Sequence, residues 1–275
     1  MENTLNNKYE LTDDTITRFG VTMRRVKALK SFGSVEKGDV GGYIEDIKNL
    51  SVYGDAWVYG DAWVYGNAQV YGDARVYGDA WVSGDAQVYG DARVYGDAWV
   101  YGNAQVYGDA WVYCDAQVYG DARVYGDAQV YGDAWVYGDA WVSGDAQVYG
   151  DARVYGDAWV YGNAQVYGDA WVYGDAQVYG DARVYGDAWV YGNAQVYGDA
   201  WVYGDADYIV FKNNWSSGRY FTWTKSNDMW VVDCFYGTGR ELIEKAYKDS
   251  ESSGKHYEAY VNFVETLKGL SEKHD

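Results

Sequence analysis

Residues Val52–Val76 read VYGDAWVYGDAWVYGNAQVYGDARV. One hexad, V-Y-G-D-A-x, runs without insertion from Val52 to Asp207 in 26 copies, and its last letter wanders among Trp, Gln and Arg until Asp207 ends the last copy. A short period of this kind dictates the architecture before any single residue does. Ala-x-Val-Tyr alternates small, variable, β-branched and aromatic, the period of two that a short strand shows. Ala and Val therefore share one face, and x and Tyr share the other. Gly-Asp breaks the strand: Gly supplies the positive φ of a sharp corner, and Asp or Asn after it is turn chemistry. A strand this short cannot bury its Val alone, so successive units must coil and stack.

The composition agrees. There is no proline among 275 residues, beside 35 glycines, as suits a backbone whose N–H groups are nearly all needed as donors. A net charge of −19 argues against a nucleic-acid polymer as partner; it favours solubility and leaves room for basic proteins or cations. The start, MENTLNNKYELTDD, lacks the basic and apolar regions of a signal peptide. No apolar run reaches the roughly 18 residues that would cross a membrane. Cys114 and Cys234 lie in different segments and make no disulfide framework. A reducing cytoplasm is the expected setting.

The hexad spacing resembles that of the left-handed parallel β-helix, in which three hexads make a triangular coil of about 18 residues. The resemblance implies the handedness and the count of three, and predicts nearly nine coils. At about 4.8 Å per stacked strand they form a rod roughly 40 Å long. The end segments KYELTDDTI, RVKALKSFGSVEKGDVGGYIE and DCFYGTGRELIEKAY resemble the flanks of uncharacterised hexapeptide-repeat proteins of phages, prophages and gut or oral bacteria. Some of these carry an acyltransferase label on the strength of the repeat alone.

The expected fold class is mainly β, with three segments: an N-terminal cap at 1–39, the β-helix at 40–207 and a small α+β unit at 208–275. Within the β-helix, 40–51 is a degenerate lead-in, with Ile44 and Leu50 at the positions that Ala takes in the repeat. Both raw ends of a strand stack need covers. Upstream, alternation around Phe19-Gly20 predicts a hairpin folded over the first rung. Downstream, 208–211, 219–225 and 229–235 read as antiparallel strands. Thr238-Gly-Arg-Glu241 is a capping box that opens a helix through about Asp249. Tyr257, Val261, Val264 and Leu267 mark one face of a second helix.

The β-helix resemblance raises acyl transfer, which in that family uses a His base and often an extruded loop. The 26 hexads contain neither, and His256 and His274 stand near the end of the chain. No catalytic residue, metal site or cofactor is expected. Acyl transfer is the remote alternative to a structural or protein-interaction scaffold, which associates with itself or with a host or phage protein. Columns of corner Asp, interrupted by Asn67, Asn103, Asn163 and Asn193, read as turn residues that aid solubility.

A second function class is ligand binding. With three hexads per coil, the first outward face carries Trp63, Trp81, Trp99, Trp135, Trp171 and Trp189, and such a ladder suits the stacking of a glycan or a base. In the tail, Trp215, Arg219, Trp223, Lys225 and Arg240 combine aromatics with positive charge, a candidate surface for a nucleotide or a host defence factor. One feature weighs against a maintained platform. Residues 81–128 recur at 141–188 with Gly174 in place of Cys114 as the one difference. Ten hexads is not a multiple of three, so the copy moves its Trp pattern to another face. Ser83 and Ser143 replace Tyr and open small notches, and Cys114 replaces a corner Gly at a cost in strain.

Overall fold

The alternation sorts the side chains as the hexad requires. In the computed structural model, which describes residues 7–271, the Ala and Val of each hexad from Ala56 to Val202 are fully buried. Each x–Val pair lies parallel to the pair 18 residues on, so that Trp63 stands beside Trp81 and Trp81 beside Trp99. The result is three sheets wrapped around one core, a parallel β-solenoid of about nine turns. Successive coils are tied by amides: Trp81 N–H donates to the Ala98 carbonyl at 2.9 Å, Ser83 N–H to Val100 at 3.0 Å and the corner Asp85 N–H to Gly102 at 2.8 Å. A proline at any of these positions would delete a bond of the ladder.

Corner glycine is required twice over. Gly102 has φ +72°, and a Cβ there would lie 3.0 Å from the Gly120 nitrogen of the next coil. Cys114 takes a corner of this kind with φ +61°, so the expected strain is present.

The lead-in departs from the expected register. Ile44 lies beside Val64 and Leu50 beside Val70, so these large residues fill the valine columns and not the alanine ones. The first coil is two residues longer than those above it. The surplus is absorbed between Ser51 and Ala56, where Tyr53 is 68% exposed. By its letters the repeat opens at Val52, but regular stacking opens at Ala56.

The N-terminal hairpin consists of β1 (Tyr9–Arg18) and β2 (Val21–Ala28), joined at Phe19-Gly20. Its inner end joins the core over the first rung, where Tyr9, Val26 and Ala28 are buried with Ala56 and Val58, while its turn runs along the first face. β2 pairs antiparallel with β3 (Val40–Ile44), and β3 pairs with Trp63–Val64, so the hairpin prolongs the first sheet. The open core is closed by the residues that enter β1. Lys8 Nζ donates to the carbonyls of Ser51 at 3.0 Å and Ala56 at 2.8 Å. The Tyr9 hydroxyl donates to Leu50 at 2.7 Å. Burial pulls the Lys8 ammonium down to about 8, a shift partly offset by Asp55. Arg25 clasps hairpin to coil: it pairs with Asp14 and Asp61, each at 2.8 Å, and donates to the Gly41 and Gly60 carbonyls.

At the other end, side-chain oxygens replace the missing next coil. Gln195 N–H donates to Thr222 Oγ1 at 2.8 Å, Trp201 N–H to Ser226 Oγ at 2.7 Å and Tyr203 N–H to Asp207 Oδ2 at 2.8 Å. Asp207 precedes, Thr222 belongs to, and Ser226 lies in a turn of, a four-stranded antiparallel sheet of Tyr208–Lys212, Tyr220–Thr224, Met229–Val232 and Phe235–Thr238. The stretch expected as one strand at 229–235 is part of a hairpin, because Asp233 turns the chain with φ +49°. Helix α1 (Gly239–Asp249) opens on the expected capping box, with Thr238 N–H donating to Glu241 Oε2 at 2.8 Å. Helix α2 (Glu251–Ser271) buries Tyr257, Val261 and Val264 against the sheet. Among the described residues no helix is long and apolar enough to cross a membrane. His274 and the first six residues of the chain lie outside the described residues.

Replacing Cys114 by Gly should raise the unfolding midpoint, with a gain of about 1 kcal/mol from relief of the left-handed backbone. The reverse change, Gly174→Cys in the copied block, should cost a similar amount. Equal denaturation curves for Cys114→Gly and the parent would contradict the strain.

Candidate functional site

Parallel stacking sets every outward side chain beside the same position of the next coil. The tyrosines consequently form ladders: Tyr71, Tyr89 and Tyr107 stack at 4.8 Å with planes within 4°, and Tyr77, Tyr95 and Tyr113 stack at 4.9 Å. This is the strand spacing itself, so ring contact is delivered by the fold.

The variable letter obeys the same geometry. Trp63, Trp81 and Trp99 stack in sequence at 4.7 Å. Where an arginine interrupts, its guanidinium takes the place of a ring: Arg153 lies 5.0 Å from the Trp135 ring and 4.8 Å from that of Trp171. Arg93 on Trp111, Arg123 on Trp141 and Arg183 on Trp201 repeat the arrangement on the other faces. Cation–π contact of this sort contributes about 0.5–1 kcal/mol at exposed sites.

Of the six first-face candidates, all share one sheet as expected, but they are unequal. Trp63 is 8% exposed. It is sealed under the hairpin by Arg18, whose guanidinium is 5.1 Å from its ring, and its indole N–H has no hydrogen-bond partner among the described residues. It is therefore removed from any binding face. Trp81, Trp135 and Trp171 are half-buried by their neighbours, and Trp99 and Trp189 are exposed. Phe19, absent from the candidates, reaches this face because the hairpin runs along it, and its ring meets Trp81 edge-on at 4.7 Å.

The tail candidates do not form one cationic surface. Trp223 is buried in the cap core and donates to Asp228 Oδ1 at 2.9 Å. Arg219 pairs with Asp233 at 2.9 Å and Arg240 with Glu244 at 3.0 Å. Trp215 and Lys225 are exposed on separate loops. The strand alternation that hides Trp223 was readable, but its acidic partners come from turns whose positions only the folded sheet fixes.

The corner Asn residues have a job. Asn67, Asn103, Asn163 and Asn193 each donate Nδ2 to an Asp carboxylate one coil away, at 2.9–3.2 Å: to Asp85, Asp121, Asp181 and Asp175. Each replaces a carboxylate–carboxylate repulsion with a hydrogen bond to a charged acceptor. Among the described residues no group of three His, Cys, Asp or Glu converges as a metal would require.

Core, corners and ladders define a repeat β-solenoid protein. Six segments, residues 68–84, 86–102, 116–128, 128–144, 146–162 and 176–192, match the family model described as the YdcK beta-solenoid repeat. Each segment spans about one coil or less, and together they cover well under half of the chain. A search of the curated proteins gave no match.

Packing also marks the tyrosines chemically. Burial raises the phenols along the ladders, among them Tyr77, Tyr89, Tyr95 and Tyr131. Tyr113 is pushed up to about 12, by burial first and then by its neighbours Tyr131 and Tyr95. An unfolded phenol ionises near 10, so this stability is full below pH about 10 and is lost as the pH rises through the folded values. Phenolate absorbance of the native protein should therefore lag behind that of the denatured chain, and denaturation midpoints should fall above about pH 10. Superimposed titrations would contradict the ladders.

Proposed function

We propose that the chain is a non-enzymatic scaffold: a left-handed β-helix rod, phage- or prophage-encoded and acting in the bacterial cytoplasm. Its faces and ends would meet protein partners or further copies of itself. The observation that carries this reading is the copied block. Trp81 and Trp99 stack on the first sheet at 4.7 Å and 4°. Their copies, Trp141 and Trp159, stack on another sheet at 4.9 Å and 2°. What survives the copying is the local ring-on-ring contact, which stabilises adjacent coils; a face-wide pattern does not survive it. Acyl transfer gains no support from His256, a half-buried residue of α2 whose Nδ1 lies 2.7 Å from the Ser252 carbonyl.

A second reading, a module that binds a glycan, a nucleotide or a host defence factor, is favoured by the exposed rings of Trp99 and Trp189, 39% and 44% accessible. The two readings separate experimentally. The scaffold reading expects a stable host protein in pull-downs from lysate, or a mass that grows with concentration in light scattering and is reduced by Trp99→Gln with Trp189→Gln. A strictly monomeric chain with no protein partner, but stabilised in thermal shift by a glycan or nucleotide, would favour the second.

A further inference from the structure

The tyrosine ladder of the first face has one missing ring. Tyr101, Tyr119, Tyr137 and Tyr155 stack at 4.8–4.9 Å with planes within 5°. Continued toward the hairpin, the column has Ser83 in the next coil and Tyr65 in the one beyond. The step between coils is that of one ring, so the serine leaves a gap one phenol deep between Tyr65 and Tyr101.

This gap is an open notch of about 320 Å³, lined by Phe19, Tyr65, Trp81, Ser83, Trp99 and Tyr101. The stacked indoles of Trp81 and Trp99 form one wall. Phe19 forms another, and its state is unusual: it is 70% exposed and has φ +51°, a region that bulky residues seldom occupy. Asn or Gly would serve a two-residue hairpin turn better, and neither would bring a ring to the notch. The floor offers a serine hydroxyl, a donor and acceptor for a polar ring edge.

Charge is also reduced here. The corner beside Ser83 is Asp85, and the same corner of the coils on either side carries Asn67 and Asn103 in place of Asp. Asn67 donates to the Asp85 carboxylate at 3.1 Å. The copied serine, Ser143, lies between Tyr125 and Tyr161, where the corner column reads Asp127, Asp145 and Asn163. The hairpin turn contributes no wall there, because Phe19 belongs to the first face. Ser143 is thus an internal control.

We propose that the Ser83 notch is a binding site for one small, uncharged, planar aromatic ring. The ring takes the place of the absent phenol between Tyr65 and Tyr101, flanked by the Trp81–Trp99 stack and edged by Phe19. This site is independent of whether the rod also acts as a scaffold.

The probe is p-cresol, the tyrosine side chain as a free molecule, observed by saturation-transfer NMR with the full chain. Binding is expected for the parent protein. Ser83→Tyr fills the gap with the residue that most hexads carry, and should weaken binding by about tenfold or more. Phe19→Asn, which suits the turn, should weaken it by roughly threefold. Ser143→Tyr should leave it unchanged, and circular dichroism should show all variants folded. Absence of p-cresol binding to the parent overturns the proposal. So does binding that survives Ser83→Tyr, which would place the ligand on the Trp ladder, or binding lost equally in Ser143→Tyr.

Discussion

In a parallel stack of coils, each residue lies one strand spacing, about 4.8 Å, from its equivalents above and below. Everything else about this chain follows from that spacing. A side chain is repeated against itself, so each position of the hexad must hold a residue that tolerates its own company. Val and Ala do so in the core, where every copy from Ala56 to Val202 is excluded from solvent. Tyr does so outside, because phenol rings stack. Gly does so at the corners, where through most of the stack the next coil's backbone comes within about 3 Å of an added Cβ.

Aspartate is the one position that does not tolerate its own company, and the corner columns show the relief. Asn amides donate to Asp carboxylates at four places. At the variable position the guanidinium of Arg153 lies over the indole rings of Trp135 and Trp171 in the neighbouring coils. The variable letter packs against its vertical neighbours, and those are 18 residues away in the sequence.

The ends obey a different constraint. A stack exposes unpaired amides at its last coil, and exposed strand edges recruit other chains. The C-terminal unit meets this need with hydroxyl oxygens from Thr222 and Ser226, and the last hexad with the carboxylate of its own Asp207. The N-terminal unit instead adds antiparallel strands to one sheet and plugs the core with Lys8 and Tyr9. That asymmetry carries Phe19 along the first face and makes the Ser83 notch differ from its copy at Ser143.

The hexad by itself determined a strand-and-corner unit that must coil and stack, the burial of Val and Ala and the need for glycine at the corners, because the same alternation and the same corner recur in every unit. The count of three hexads per coil was implied by the β-helix resemblance and is displayed by the pairing of residues 18 apart. The capping box at Thr238 and the amphipathic face of α2 were also legible: their signals are local. Only the tertiary structure decided which outward residues remain outward. Trp63 and Trp223 carry the same aromatic signature as Trp99, yet a hairpin covers one and a helical cap the other. It also decided that Ile44 and Leu50 continue the valine columns, since a two-residue surplus at one corner breaks no pattern that a sequence displays. Where a ring is missing from a ladder, and what stands beside the gap, depends on contacts between segments far apart in the chain, and those exist only once the coils are closed.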